Sequence, residues 1–170
     1  MPLDIRAETA GDRSAIFQVH RAAFGQELEA VLVDQLRAAS ALTLSLAAIE
    51  DAQVVGHIAF SPVTISENPA GIRALGLGPI GVLPSHQRSG IGARLIDAGL
   101  REAAAQGWDL AFVLGEPAYY VRFGFEPAAK HGLRCKYDAP PEAFMVTALR
   151  EGVLGTVAGT VRYDAAFDAV

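Results

Sequence analysis

The run Ile72 to Leu83 is apolar enough to form a strand, yet it holds Gly76, Gly78, Pro79 and Gly81. Glycine weakens a strand interior and proline removes a ladder donor, so an ordinary central strand is excluded. Two readings remain: a bulged or edge strand, or a strand whose backbone must come close to a ligand. The chain then passes through Val82-Leu83-Pro84-Ser85-His86-Gln87-Arg88-Ser89-Gly90-Ile91-Gly92 into an alanine-rich stretch from Gly90 to Gln106. There Ile91, Leu95, Ala98, Ala103 and Ala104 offer an apolar stripe, which predicts a helix. A glycine-rich strand thus delivers the chain to a long helix.

The loop between them has a chemistry of its own. Small residues at Ser89, Gly90 and Gly92 let backbone amides turn into one concavity, and the helix adds unpaired N–H groups and the positive end of its dipole. Arg88 adds a full charge. The combination suits an anionic phosphate. Glycines are too few for the dinucleotide fingerprint, and Gly-Lys-Ser/Thr is missing, so mononucleotide and dinucleotide readings lose their support. By itself, Gly-x-Gly also fits a helix start whose glycines serve only the turn.

Around this segment the chain reads as mixed α/β with one central sheet. Leu3, Ile5 and Ala7 alternate with polar residues as in a half-buried first strand. Thr9 opens a helix, with Asp12 placed for a capping box and Ile16, Val19 and Ala23 as its apolar face. After Gly25, the residues Leu28, Val31, Leu32, Gln35 and Leu36 recur at helical intervals and predict a second helix. Leu42 to Leu46 and Val54 to Phe60 predict an antiparallel hairpin turning at Glu50 to Gln53. Leu110 to Leu114 suits a strand covered on both faces, Pro117 to Arg122 a short helix, and Phe144 to Leu149 and Thr156 to Tyr163 two further strands. Trp108 and the Phe residues are expected in the core.

Composition narrows the partners. The 170 residues fit one compact domain over 1–170. A net charge of −5 without clustered Lys or Arg argues against nucleic acid and anionic membranes. The apolar stretches break well short of the roughly 20 residues that span a bilayer. The lone Cys135 excludes an internal disulfide, and Met1 to Arg6 lacks the order of a signal peptide, which together predict a cytoplasmic chain. His20, His57, His86 and His131 are widely spaced and support no metal site. Cys135 has no nearby His to make it a nucleophile.

Two motifs in order carry a resemblance. Gln87-Arg88-Ser89-Gly90-Ile91-Gly92 matches Gln/Arg-x-x-Gly-x-Gly/Ala, and Tyr120-Val121-Arg122-Phe123-Gly124-Phe125 matches Tyr-x-x-x-Gly-Phe one strand and a short helix later. The chain resembles the GNAT superfamily of acyl-CoA N-acyltransferases from Leu3 to about Leu149. That resemblance implies a central, mostly antiparallel sheet with splayed fourth and fifth strands, flanked by helices. It implies direct acetyl transfer from acetyl-CoA, a cosubstrate, to an amine, without a metal. Ile80, Gly81 and Val82 would pair with pantetheine. Gln87, Arg88, Ser89, Gly90, Ile91, Gly92 and Ala93 would hold the pyrophosphate, mainly on the amides from Arg88 to Ala93. Tyr120 would protonate the leaving thiolate, with Tyr119 beside it; a packed aromatic is the alternative for either ring.

The general base is unassigned. Some relatives carry a Glu on the strand before the loop, but Ile72 to Leu83 has no carboxylate. His57, Glu27, Glu67 and Glu116 are candidates, each equally readable as an ordinary polar residue. Gly115 and Glu116 stand where many relatives carry a coenzyme-contacting Asn. An acyl-CoA-binding sensor without catalysis is the competing reading. The acceptor-side segments, Ala22 to Glu29 and those after Phe125, show no decisive charge pattern. A homodimer is compatible with either reading.

Overall fold

The computed structural model describes residues 2–170; Met1, the first residue of the expected leaderless start, lies outside them. In chain order the elements are β1 (Asp4–Ala7), α1 (Arg13–Phe24), α2 (Leu28–Ala38), β2 (Leu44–Glu50), β3 (Gln53–Glu67), β4 (Ala74–Val82), α3 (Ile91–Ala105) and β5 (Leu110–Leu114). After these come α4 (Pro117–Tyr120), β6 (Glu126–Pro127), β7 (Leu133–Cys135), β8 (Phe144–Ala148) and β9 (Ala158–Arg162). The strands are ordered β1-β2-β3-β4-β5-β8-β6, with β9 pairing β3 and β7. Pairing is antiparallel except for β4 with β5 and β7 with β9. The mixed α/β architecture is the one expected from the order of the elements, and the mostly antiparallel pairing is the one the resemblance implies. The parallel register joins Ala74–Leu77 to Leu110–Val113, and β5 ends one residue later at Leu114.

The described chain forms two compact units. One comprises residues up to Ser61, Gly78–Gly99 and Asp164–Val170; the other comprises Pro62–Leu77 and Leu100–Tyr163. In the first, Asp12 locks the entry to α1. Its carboxylate accepts from the Thr9 backbone N–H at 2.7 Å and from Arg6 Nη1 at 2.6 Å, which completes the expected capping box around a short 3-10 turn. The hairpin closes on Asp51 and Ala52, both with positive φ, in a two-residue turn that sets the β2–β3 register. Ile16, Val19, Val33, Ala47, Val54 and Ala59 make one apolar cluster beneath the two helices.

Helix α3 is seated against β3 with almost nothing between them. A Cβ at Gly99 would collide with the ring of Phe60, which is completely buried, and a Cβ at Gly56 would stand 3.1 Å from Ile91 and 3.2 Å from Leu95. Both positions are therefore glycine for want of room rather than for backbone freedom.

In the second unit, the first four residues of β5 are buried, as its continuous apolar run predicts, and Phe112 stacks on Phe144 of β8 with centroids 5.3 Å apart. The buried Asp109 accepts from the Arg73 backbone N–H at 2.8 Å and from Arg150 Nε at 2.8 Å. Burial alone would raise that carboxyl, but these donors and the two arginine charges outweigh it and hold it below the usual range.

Several expected faces are corrected. In α2 the buried residues are Ala30, Leu32, Val33 and Leu36, whereas Leu28 and Val31 remain 47% and 39% exposed. The covering of Leu32 and Leu36 by Ala166 and Phe167 rotates the buried face toward Leu36. In α3, Ile96 and Gly99 face inward and Ala104 outward, and Ala7 of β1 is exposed. Phe24 is exposed, while Trp108 is half-buried under Arg73, whose guanidinium lies 4.2 Å from the ring centroid. Strands β6 and β7 are too short to leave a period-two signal.

Gly99→Ala is expected to destabilise the protein by about 1–3 kcal/mol, because the methyl group must displace a ring with nowhere to go. Urea unfolding measures this, and an unchanged midpoint would show that α3 can lift from β3 without cost.

Candidate active site

Between β4 and α3 the backbone leaves a run of donors without carbonyl acceptors among the described residues. A 3-10 turn, Pro84–His86, is followed by Gln87 with extended backbone, Arg88 at φ +63° and Gly90 at φ +86°. Gln87 Nε2 donates to the Val82 carbonyl at 3.0 Å, and Ser89 Oγ donates to the His86 carbonyl, so the two side chains brace the loop from inside. Among the described residues, the backbone N–H groups of Arg88, Ser89, Gly90, Ile91, Gly92 and Ala93 donate to no carbonyl; the first helical bond runs from Arg94 N–H to the Gly90 carbonyl at 3.1 Å. Six successive donors without a carbonyl acceptor, running from the exposed turn Arg88–Gly90 into the first turn of a four-turn helix, at its positive end, suit an anion. Arg88 is exposed beside them. Ile80, Gly81 and Val82 belong to the same compact unit as this loop, on the outgoing half of β4.

Tyr120 lies in the other unit, at the end of α4. Pro117 starts that one-turn helix, the Glu116 carbonyl receives the Tyr119 and Tyr120 N–H groups at 3.1 Å each, and Gly124 at φ +89° ends the following 3-10 turn. The two tyrosines are easily told apart. Tyr120 is 8% exposed, edge-on to Phe125 at 5.7 Å, whereas Tyr119 is half-buried with Arg122 stacked 4.6 Å from its centroid. Burial, then the neighbouring Tyr119, push the Tyr120 phenol up to about 12, so it keeps its proton throughout the neutral range. The space a side chain at Gly115 would need is filled by Tyr120: a Cβ there would collide with the ring.

The candidate bases separate sharply. Glu27, Glu67 and Glu116 are exposed, and Glu27 pairs with Arg21 at 3.5 Å. His57 is wholly buried and its partners were invisible in the spacing of the histidines: His20 Nε2 lies 2.8 Å from His57 Nδ1, and Ser45 Oγ lies 2.7 Å from His57 Nε2. Ser45 in turn donates to Glu8 Oε1, and Arg37 grips the Glu8 carboxylate with Nε at 2.9 Å and Nη2 at 3.0 Å. Alternation on β2 and β3 places Ser45 and His57 on one face, but His20 arrives from α1 through tertiary packing alone. Burial lowers His20 to about 4. Burial, then the charges of His20 and Arg37, lower His57 well below its usual value against a smaller opposing pull from Asp12. Both rings are therefore neutral at pH 7. No group of three or more metal-binding side chains occurs among the described residues.

Two outcomes follow from this geometry. Gly90→Val forces a β-branched residue into a left-handed backbone at a strain of about 1–3 kcal/mol, and calorimetry should show a roughly ten- to hundredfold weaker affinity for a diphosphate such as coenzyme A. An undiminished affinity would remove the loop from the site. Secondly, the unfolded chain binds protons at His20 and His57 that the fold refuses, so stability is complete above about pH 6.5 and falls toward pH 4. A urea midpoint that stays flat from pH 7 to about pH 4.5 would mean that the pair is charged inside the fold.

The profile of the Acetyltransferase (GNAT) domain family matches residues 4–128. The uncharacterised N-acetyltransferase YhbS of Escherichia coli strain K12 is 37% identical over 165 residues, covering 96% of this chain and 98% of YhbS. The crystal structure of Escherichia coli YhbS in complex with CoA superposes with a TM-score of 0.93 at 36% identity, covering 98% of this chain and 92% of the other. A GNAT family acetyltransferase from Brucella melitensis in complex with acetyl-CoA gives a TM-score of 0.81 at 42% identity, covering 98% and 99%. The chain belongs to the GNAT acetyltransferase family.

Proposed function

We propose that the protein is an N-acetyltransferase that takes the acetyl group of acetyl-CoA directly to an amine acceptor and works as a single domain over residues 1–170. The observation that supports this reading is the run of six backbone donors, from Arg88 in the loop to Ala93 in the first turn of α3, with no carbonyl acceptor among the described residues. A pyrophosphate satisfies such a run better than water does, because the donors are already fixed and the helix dipole favours its charge. Gln87 and Ser89 act by bracing the loop, Arg88 adds an exposed charge, and Ile80, Gly81 and Val82 offer backbone groups to pantetheine. The CoA and acetyl-CoA complexes of the two similar crystal structures support the same ligand class.

The chemistry needs three events. An amine nitrogen attacks the thioester carbonyl, the tetrahedral oxyanion collapses, and the thiolate of coenzyme A departs with its electron pair. Tyr120, buried and held protonated, donates its phenol proton to that thiolate. No acyl-enzyme is required, in keeping with a half-buried Cys135 whose thiol is raised by burial. A cytoplasmic location suits a chain with one cysteine and a cytoplasmic cosubstrate; no described helix is long and apolar enough to cross a membrane. The lack of any carboxylate on β4 is the observation favouring a second reading, an acyl-CoA sensor that binds without turnover.

Thiol release from acetyl-CoA, followed over a panel of primary amines, tests the two readings together. Turnover with at least one amine is expected, and binding of coenzyme A without turnover by any amine selects the sensor. Tyr120→Phe should lower kcat by roughly a hundredfold while leaving coenzyme A affinity nearly intact. An unchanged kcat would take Tyr120 out of the mechanism.

A further inference from the structure

A base for the amine is missing from β4, and the polar chain running from α1 through β3 and β2 to Glu8, just past β1, has a direction that supplies one. Its direction follows from Glu8. A carboxylate only accepts, so Ser45 must spend its hydroxyl proton on Glu8 Oε1. Ser45 Oγ is then the acceptor at its other contact, and His57 Nε2 must carry a proton and donate it across 2.7 Å. A neutral imidazole has one N–H, so His57 Nδ1 is bare and accepts from His20 Nε2–H at 2.8 Å. His20 Nδ1 is left as an unprotonated lone pair. It is buried, has no hydrogen-bond partner among the described residues, and points at β4: a Cβ on Gly81 would stand 2.9 Å from it. The ring itself is wholly buried, with exposed Phe24 stacked on it at 6.1 Å.

A bare imidazole nitrogen left unsatisfied in a fold is costly, since a buried acceptor ordinarily finds a donor. The same atom abuts Gly81, one of the residues offered to pantetheine, while the far end of the chain reaches a surface cleft lined by Glu8, Arg37, Ser45 and Thr43. We propose that His20 Nδ1 withdraws a proton from the attacking amine nitrogen, and that His57, Ser45 and Glu8 relay the charge to water in that cleft. The proposal rests on the transferase reading. In the step, the N–H bond of the amine breaks as Nδ1–H forms; His20 Nε2–H passes to His57 Nδ1, His57 Nε2–H to Ser45 Oγ, and the Ser45 hydroxyl proton to Glu8 Oε1. The carboxylic acid then yields its proton to water. With the site empty, the reverse passage of one proton from the cleft to water at His20 restores both tautomers.

The depressed basicity of the rings fits this role. A nitrogen that is forming its bond to the thioester carbon becomes strongly acidic, so a weak base suffices, and a proton is not trapped on either ring. Glu8 is a fitting outlet. Burial would raise it, but the Arg37 and Ser45 hydrogen bonds and the charges of Arg37 and Arg13 bring it below its usual value, so it does not retain what it receives. Gly81 belongs to the device because any side chain there would push His20 out of line.

Two measurements decide the matter. Two-bond proton–nitrogen spectra of the protein labelled with 15N-histidine, at pH 7 and assigned with His20→Gln and His57→Gln, should show both rings protonated on Nε2; a His20 ring protonated on Nδ1, or doubly protonated, overturns the relay. With the amine that gives fastest thiol release, Ser45→Ala should lower kcat about tenfold or more without changing KM for acetyl-CoA, and Ser45→Thr should restore it. An unchanged kcat in Ser45→Ala overturns the relay as well. If no amine releases thiol, the tautomers alone decide. Loss of coenzyme A binding by the unaltered protein in calorimetry defeats the transferase reading itself, whereas intact binding with the wrong tautomer defeats only the relay.

Discussion

The seating of α3 on β3 is the constraint from which the rest of the arrangement follows. Helix and strand meet at Gly56 and Gly99 with Ile91, Leu95 and Phe60 filling the space around them, and this contact fixes the height and rotation of the helix. A helix whose first turn is fixed presents its free N–H groups at a fixed place. The loop before it inherits that position through short internal braces, Gln87 to Val82 and Ser89 to His86. An anion site built this way needs little ordering when a ligand arrives, which is where much of its affinity originates.

The buried polar chain faces the opposite problem. Two imidazoles are kept from water and a serine and a carboxylate are partly so, and each must find partners or be destabilising. Arg37 and the hydroxyl of Ser45 satisfy Glu8, and each ring satisfies its neighbour, until a single acceptor remains at His20. The contrast with Asp12 and Asp109 is instructive. Those carboxylates have a donor on each oxygen and hold the ends of elements together, whereas the chain ending at His20 stops one partner short.

Local chemistry explains which parts could be read in advance. The strand-to-helix segment was legible because its glycines, its helix start and its small residues all act within a few positions of one another. Likewise Thr9 with Asp12, and Pro117 with Gly124, are short-range signals with fixed geometry. The buried side of α2 was not legible, because Phe167 and Ala166 arrive from far along the chain to cover it. Nor was the histidine pair: position 57 alternates correctly on β3, but nothing at position 20 announces that α1 will set it against β3 rather than in solvent. Strands of two or three residues, such as β6 and β7, are created by their neighbours and have no pattern of their own.

The filled space at Gly115 constrains how this chain can vary. Because the Tyr120 ring occupies the volume that a side chain at 115 would need, the two positions are not free to change one at a time. A side chain at 115 requires the ring at another tilt or a smaller residue at 120. Passage between the two arrangements therefore has a preferred order, in which the ring gives way before the larger residue arrives, and a sequence caught midway in the wrong order would carry a clash rather than a compromise.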